Sequence, residues 1–510
     1  LRRAQPGGDD AVAPVIRTIP HLFDAAAADT PDKVWLRFED ETYTFEQARE
    51  RIGRAAAALA ACGAGPGDLV LTAPRNVPEH LFTWLAVGYI GAIVVTANPR
   101  SSEAELAGLA AQIEPRVVVT DDEVPALSGV AGAASIPLAG LFADQSAGVE
   151  GTGPAGEDDP VVLIPTSGTT GRSKLVTQTH RAYVMAGEGF PWWMELTSDD
   201  RMMTSLPLFH INAPAYTVLG SVAARAGVVL LPRFSASRFI DDARRHGATE
   251  FNAIGAMLEI LMRQPERDDD ADNPLRLAYA GPAPPRARHL EIEERFGLRI
   301  VSGYAMSETP YGTIWARGTR PYGTLGSIRQ HPELGVVNEG RVVGGELQLR
   351  NPAVMRGYWG MPEETAQVLL PDGWLRTGDL VEQNADGTYT FLGRLKEVIR
   401  RRGENVAPAE IEEALADHPD VHEVAVVGVP SELSEEEIKA FLLVADPAEA
   451  DLAAIRQHAA ASLAPFKVPR YVEAVADLPH TPTGRIAKHQ LSRERNDHEV
   501  DFDAARAAGR

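Results

Sequence analysis

Residues 166–174 read Thr-Ser-Gly-Thr-Thr-Gly-Arg-Ser-Lys and follow the apolar stretch Val161-Val162-Leu163-Ile164. Glycine lets backbone N–H groups approach an anion closely. Hydroxyls and a terminal cation supply further donors. The run therefore reads as a loop that wraps a polyphosphate, with Thr166, Ser167, Gly168, Thr169, Thr170, Gly171 and Lys174 as its candidates. It is not a Walker A loop, which needs four residues between its glycines and Lys-Ser/Thr directly after the second. Nor is it a dinucleotide fingerprint, because Gly-x-Gly-x-x-Gly is absent. Taken alone, a Ser/Thr/Gly-rich surface turn would look similar.

The surrounding pattern supports an α/β reading. Strand-like apolar runs recur at Leu69–Thr72, Ile93–Thr96, Val117–Thr120, Val228–Leu231 and Leu298–Ser302. Helical stretches alternate with them, as at Glu103–Ile113 and Phe239–His246, which predicts parallel layers. Phe45–Ala61 is predicted as a helix, with Thr44 as N-cap and Gly63 closing it. Residues 1–17 read as a loose arm, 144–160 as a linker and 265–273 as an acidic, solvated loop. From Val337 the pattern changes to short β segments. A compact α+β segment follows, with helices at Ala409–Ala416 and Leu452–Leu463 and strands at Val424–Val429 and Ile438–Val444.

Composition narrows the function classes. Over 510 residues the apolar share is 44%, ample for a large core. The net charge of −22 argues against a nucleic-acid binder. Cys62 is the only cysteine, so no intrachain disulfide or cysteine zinc site can form. Leu81–Val95 is the longest apolar stretch, and it is short for a membrane span. With no signal peptide evident after Leu1-Arg2-Arg3, the expectation is a soluble, cytoplasmic chain without a membrane partner.

Four further motifs give the loop a context. Residues 304–308 are Tyr-Ala-Met-Ser-Glu, and 374–379 are Trp-Leu-Arg-Thr-Gly-Asp. Residues 393–412 run Gly-Arg-Leu-Lys-Glu-Val-Ile-Arg-Arg-Arg-Gly-Glu-Asn-Val-Ala-Pro-Ala-Glu-Ile-Glu, and 481–485 are Thr-Pro-Thr-Gly-Arg. In this order the five motifs resemble the adenylate-forming superfamily of acyl-CoA ligases, peptide-synthetase adenylation domains and luciferases. The resemblance extends from about Thr18 to Leu491. It implies a large N-terminal domain of layered α/β subdomains plus a small distorted β-barrel, residues 1–394, that binds acid and nucleotide. A small mobile α+β domain, 395–510, would follow, with the hinge near Lys396. The implied chemistry has two steps: a carboxylate attacks the α-phosphate of ATP, and a thiol, usually that of coenzyme A, then displaces AMP.

The resemblance also implies roles. The loop from Thr166 to Lys174 would cover the β- and γ-phosphates, with Ser173 and Leu175 in place of the usual Pro and Gly. Glu308, on a loop, would be the Mg²⁺ ligand, since magnesium needs few protein carboxylates beside phosphate oxygens. Tyr304 would stack on adenine, and Gly281, Pro282 and Ala283 would run along its edge, with Ser307 beside the nucleotide. Asp379 and Arg394 would hold the ribose. Phe209, His210, Gly255, Ala256, Gly281, Ala305 and Met306 would form the acyl pocket, with room for a bulky hydrophobic acid. His210 would orient the carboxylate or simply pack. Gly403 would let pantetheine pass, and Arg401 and Arg402 would meet the phosphates of coenzyme A.

One position departs from the pattern. The last motif normally ends Gly-Lys, and here it ends Gly484-Arg485. A forked guanidinium does not replace a compact ammonium at a site built for a point charge. Lys488 matches the family's trailing basic residue and is expected not to reach. The catalytic set is thus Arg485, His210, Glu308 and Lys396, with adenylation impaired and thioester formation intact. This is similar to the non-adenylating acyl-CoA ligases of platensimycin-type diterpenoid biosynthesis, which accept an acyl-adenylate from a partner ligase. A complete ATP-dependent synthetase and an adenylate-dependent loader of a carrier protein are the alternatives.

Overall fold

The computed structural model describes residues 17–503 apart from 125–126, 128–129, 131, 145–147, 150, 152, 167–172, 282–283, 332–336, 402–403, 407, 432–435, 464 and 482–484. The chain divides into two compact units. The larger takes Leu1–Arg320, Ile328–Asn338 and Arg350–Gly373, and the smaller takes Pro321–Ser327, Glu339–Leu349 and Trp374–Arg510.

In the larger unit, local sequence rules hold. The helix Phe45–Ala61 starts on a reciprocal capping box. Thr44 Oγ1 accepts from Gln47 N at 3.2 Å, and Gln47 Oε1 accepts from Thr44 N at 2.9 Å. Its Phe45, Ala48, Ile52, Ala56 and Leu59 recur at helical spacing and are all buried. Gly63 follows the helix with φ +88°, a conformation that glycine tolerates.

Two sheets form the framework of the larger unit. One includes, in order, the strands Thr309–Ile314, Arg299–Met306, Leu277–Ala280, Glu250–Ala253, Arg201–Thr204, Gly227–Leu230, Val34–Phe38 and Glu41–Thr44. It is parallel from Arg299–Met306 to Val34–Phe38 and antiparallel in the pairing at each side of that range. The other orders Gly357–Tyr358, Lys174–Thr179, Pro160–Thr166, Ile93–Thr96, Leu69–Thr72, Val117–Thr120 and Ala134–Pro137. Its only antiparallel strand is Lys174–Thr179, which runs against both neighbours. The strand predicted to end at Ser302 continues to Met306, because Thr309–Ile314 supplies an antiparallel ladder for it. Glu308 therefore sits in a tight strand-to-strand turn.

A buried cation fastens this hairpin. Arg329 is fully buried. Its Nε donates to Thr313 O at 2.9 Å and one terminal nitrogen donates to Tyr279 Oη at 2.7 Å. The guanidinium also lies 5.0 Å from the Trp193 ring and 5.2 Å from the Tyr216 ring. Carbonyls and aromatic faces together replace the water that such a charge gives up. Glu250 is the opposite case. It is fully buried, and among the described residues neither carboxyl oxygen has a hydrogen-bond partner. Burial first, and the nearby Asp200 second, push its carboxyl well above the usual range, so it is held neutral.

The smaller unit contains a four-stranded sheet of Glu339–Val343, Glu346–Arg350, Leu375–Gln383 and Tyr389–Arg394. Ile399–Arg401 pairs with Glu404–Val406. A second four-stranded sheet, Val421–Pro430, Glu436–Val444, Tyr471–Val475 and Glu499–Asp501, packs with helices Pro408–Ala416 and Leu452–Ala460 around Ile411, Leu415, Val426, Leu442 and Ile455. Among the described residues no helix is long and apolar enough to cross a membrane.

Candidate active site

The two strands that flank the glycine-rich run close its base. Pro160–Thr166 and Lys174–Thr179 pair with Thr166 opposite Lys174, and Thr166 Oγ1 donates to Lys174 O at 3.1 Å. Ser167, Gly168, Thr169, Thr170 and Gly171 lie outside the described residues. Lys174 points its ammonium at the Tyr358 ring, 4.7 Å from the centroid.

Tyr358 links that lysine to the candidate metal ligand. Its hydroxyl donates to Glu308 Oε1 at 2.9 Å. Burial, and then the Glu308 carboxylate, push the phenol up, so it stays a donor. The backbone of the turn is also held: Met355 N donates to Glu308 O at 2.8 Å, and Gln178 Nε2 donates to Ser307 O at 2.6 Å. A single oriented carboxylate near a lysine fits a magnesium ion that takes its other ligands from phosphate and water. Among the described residues no group of three or more His, Cys, Asp or Glu is placed to hold a metal unaided.

Tyr304 is half-buried, and its hydroxyl donates to Met306 Sδ at 3.7 Å. Gly281 ends the strand Leu277–Ala280, and a Cβ there would lie 3.1 Å from Gly303 O. At Gly303 a Cβ would lie 2.7 Å from Thr313 O, and at Gly312 2.3 Å from Tyr304 O. Close backbone packing accounts for these glycines. Pro282 and Ala283 lie outside the described residues.

The segment expected at the carboxylate end is clamped by Asn76, which is 6% exposed. Its Nδ2 donates to Leu206 O at 3.0 Å and Leu231 O at 3.2 Å, and its Oδ1 accepts from Leu208 N at 3.1 Å. Thr96 Oγ1 donates to Phe209 O at 3.1 Å. The His210 ring lies 4.5 Å from that of Phe209, and both are half-buried. Arg75, next to the clamp, is itself fixed by two bonds to Asp121, at 2.7 and 3.0 Å, and His80 Nε2 is 3.0 Å from the same carboxylate. Burial opposes ionisation of Asp121, but the His80 and Arg75 bonds outweigh it and lower its pKa. Burial also lowers the His80 pKa, which keeps the imidazole neutral. Gly255 and Ala256 open the helix Gly255–Met262, and with Ala305 and Met306 they are half-buried.

In the smaller unit, Asp379 and Arg394 face each other across paired strands, with Oδ1 and Nε 2.6 Å apart. Asp379 is buried and its N–H donates to Thr377 Oγ1 at 3.1 Å. Lys396 follows in the short turn Leu395–Glu397. Arg401 departs from expectation. It is 4% exposed, 2.6 Å from Glu437, and donates to Phe466 O at 2.8 Å and Val468 O at 3.0 Å. Its guanidinium is engaged inside the unit and is not presented to a coenzyme phosphate. Arg402 and Gly403 lie outside the described residues. Arg485 is exposed in a turn where Thr481 N donates to Arg485 O at 2.7 Å and Arg485 N donates to Thr481 Oγ1 at 3.2 Å. Lys488 is tied to Glu412 at 2.8 Å and Glu397 at 3.2 Å.

A glycine-rich run between antiparallel strands, with a lysine and an oriented carboxylate beside it on a parallel α/β scaffold, is the arrangement expected of a nucleotide-handling enzyme. Family models agree: residues 23–359 match the AMP-binding enzyme family and 410–485 its C-terminal domain. The chain is 33% identical to a sulfoacetate–CoA ligase of Cupriavidus necator, over 93% of this chain and 99% of that protein. It is 30% identical to a crotonobetaine/carnitine–CoA ligase of Salmonella typhimurium, over 93% and 99%. ATP-bound MatB from Rhodopseudomonas palustris superposes with a TM-score of 0.83 at 27% identity, covering 92% of this chain and 97% of that one. The AMP complex of O-succinylbenzoate coenzyme A synthetase from Bacillus subtilis gives 0.82 at 26% identity, covering 94% and 99%. The chain belongs to the AMP-binding enzyme family, among the acyl-CoA ligases of the adenylate-forming superfamily.

Tyr358, Gln178 and Asn76 escaped the sequence reading. Tyr358 follows a glycine in Gly357-Tyr358-Trp359, an aromatic pair that could have been flagged. Gln178, a lone amide in the strand run Leu175-Val176-Thr177-Gln178, offered a weaker signal. Nothing local marks Asn76.

Proposed function

We propose that this chain forms an acyl-CoA thioester from a carboxylic acid by way of an acyl-adenylate, and that its adenylation half-reaction is the weaker one. The observation that carries the first part is the Glu308 carboxylate, set by Tyr358 beside Lys174. In this reading Lys174 and the glycine-rich loop bind the β- and γ-phosphates. Magnesium, when bound, neutralises phosphate charge, and Glu308 is its protein ligand. Tyr304 and Gly281 line the adenine, Asp379 and Arg394 hold the ribose, and the segment ending at His210 orients the acid.

The second part rests on Arg485. A bridging cation at this position stabilises the pentavalent transition state, and a misplaced one forfeits on the order of 10²–10³ in rate. Lys488 does not compensate, since two carboxylates already hold it. Thioester formation does not need that cation, so it is the favoured half-reaction, with a partner ligase supplying the adenylate. The hinge is taken at Lys396, between domains of residues 1–394 and 395–510. Coenzyme A is the thiol in this reading, with Gly403 on its path.

The acid is bulky and hydrophobic in this reading. Support for the extra room comes from Gly255, Ala256 and Ala305, because backbone packing already explains Gly281. A complete ligase is the second reading, favoured by the near full-length match to acid–CoA ligases. One experiment separates them: acid-dependent pyrophosphate release, measured beside thioester formation from preformed acyl-adenylate and CoA. Release comparable to the thioester rate establishes the complete ligase, and thioester formation without release establishes the split reaction.

A further inference from the structure

We infer that Gln178 is a positioning residue for the magnesium–nucleotide site, locking the Ser307–Glu308 turn to the strand that leaves the phosphate loop. The inference rests on the reading of Glu308 as the metal's protein ligand.

Side chains alternate along a strand, so Lys174, Val176 and Gln178 share one face of Lys174–Thr179. Both polar members of that face engage the same partner segment. Lys174 reaches it through the Tyr358 ring, whose hydroxyl holds the Glu308 carboxylate. Gln178 reaches it directly, donating to Ser307 O at 2.6 Å. One strand therefore grips the turn at its carboxylate and at its backbone, and in doing so sets the distance between the lysine and the metal ligand.

The chemistry of the amide argues that this grip is its purpose. Gln178 is fully buried, and its Oε1 has no hydrogen-bond partner among the described residues. Reversing the amide would set that oxygen against the Ser307 carbonyl, so the single donated bond fixes its orientation. An apolar side chain of the same length would fill the space, but it would exchange the unpaired Oε1 for an unpaired Ser307 carbonyl. Folding alone gives little reason to prefer glutamine here, because either residue leaves one polar oxygen unpaired. Holding the turn does. Groups that orient a metal ligand from behind it typically change metal affinity 10–100-fold when removed.

The test uses the full chain, MgCl₂ and the β,γ-methylene analogue of ATP. Calorimetry gives the analogue's affinity across a magnesium series and the affinity of AMP without magnesium, while thermal melting reports stability. In Gln178→Met the magnesium needed for half-maximal tightening should rise about tenfold. AMP affinity should stay within about twofold of the parent, and the melting midpoint should stay close to the parent's, since one unpaired oxygen replaces another. Gln178→Leu is the second variant should methionine misfold. Glu308→Gln separates the two failures. If it raises the magnesium requirement and Gln178→Met does not, the positioning role is overturned and the metal reading stands. If analogue binding by the parent ignores magnesium and Glu308→Gln changes nothing, the metal reading is overturned and the positioning role with it. A lowered midpoint with equal loss of AMP and analogue binding, or misfolding of both variants, marks Gln178 as structural and overturns the inference.

Discussion

Two turns carry the charges on which the proposed chemistry depends, and they are built differently. The Ser307–Glu308 turn lies between strands Arg299–Met306 and Thr309–Ile314 and is tied to Gln178, Met355 and Tyr358. Its hairpin is fastened by the buried Arg329. In the second, Arg485 is exposed beside the bridge His480–Ile486, with backbone and hydroxyl bonds to Thr481. The difference teaches where substitution is tolerated. Changing a residue in the first turn disturbs several buried partners, whereas Arg485 in the second is exposed. An exchange of arginine for lysine there is therefore expected to change chemistry more than stability.

Arg485→Lys is the sharpest test of that contrast. Acid-dependent pyrophosphate release should rise by about 10²–10³, the usual value of one well-placed transition-state stabiliser. Thioester formation from preformed adenylate and the melting midpoint should stay as they were. A variant with unchanged release would break the comparison, since the exposed turn would then carry no chemical consequence. Next in size, Asp379→Ala removes a buried acceptor from the ribose side. AMP binding measured by calorimetry should weaken by about 1.5–3 kcal/mol, the range for hydrogen bonds to a charged group.

Asn76→Ala probes the braced side. It leaves Leu206 O, Leu231 O and Leu208 N without their partner. Denaturant unfolding should show a loss of about 1–3 kcal/mol, and KM for the acid should rise more than kcat falls. The smallest effect concerns Glu250. Its folded pKa is raised, so its stability contribution is complete below the unfolded value and fades as pH rises toward the folded one. Gln cannot ionise, so Glu250→Gln should melt close to the parent at pH 4 and progressively above it toward pH 8. A difference that stays flat across that range would mean that Glu250 is not held neutral.

Much of this was legible in the chain and some was not, for physical reasons. Thr44 and Gln47 lie within one helical turn, so their capping box is written locally. The strand runs before Thr166 and around Ile93, Leu69 and Val117 announced themselves by apolar continuity. The glycine-rich run, Glu308, Asp379 and Arg394 stood in motifs. What holds them did not: Tyr358 is 50 residues from Glu308, and Gln178 is 129 from Ser307. Such partners are chosen by sheet order, which one sequence does not display. Arg401 was misleading because a run of three arginines looks like a solvated patch. Ile399 and Arg401 are both buried, two residues apart on one strand, and alternation turns Arg401 inward with Ile399.

The smaller unit is not one stretch of chain. Strand Glu346–Arg350, from the middle of the sequence, pairs with Leu375–Gln383 through Gln348 opposite Arg376, and Glu346 bonds Arg376 at 2.9 Å. A genetic crossover between two relatives anywhere from residue 351 to 374 would give these paired strands different parents. Both the ladder and its ion pair would then have to match by chance. A crossover placed after Arg394 keeps that sheet of one origin. Exchange of the C-terminal segment between members of this family, in nature or in the laboratory, should therefore succeed far more often from residue 395 onward than from within the strands before it.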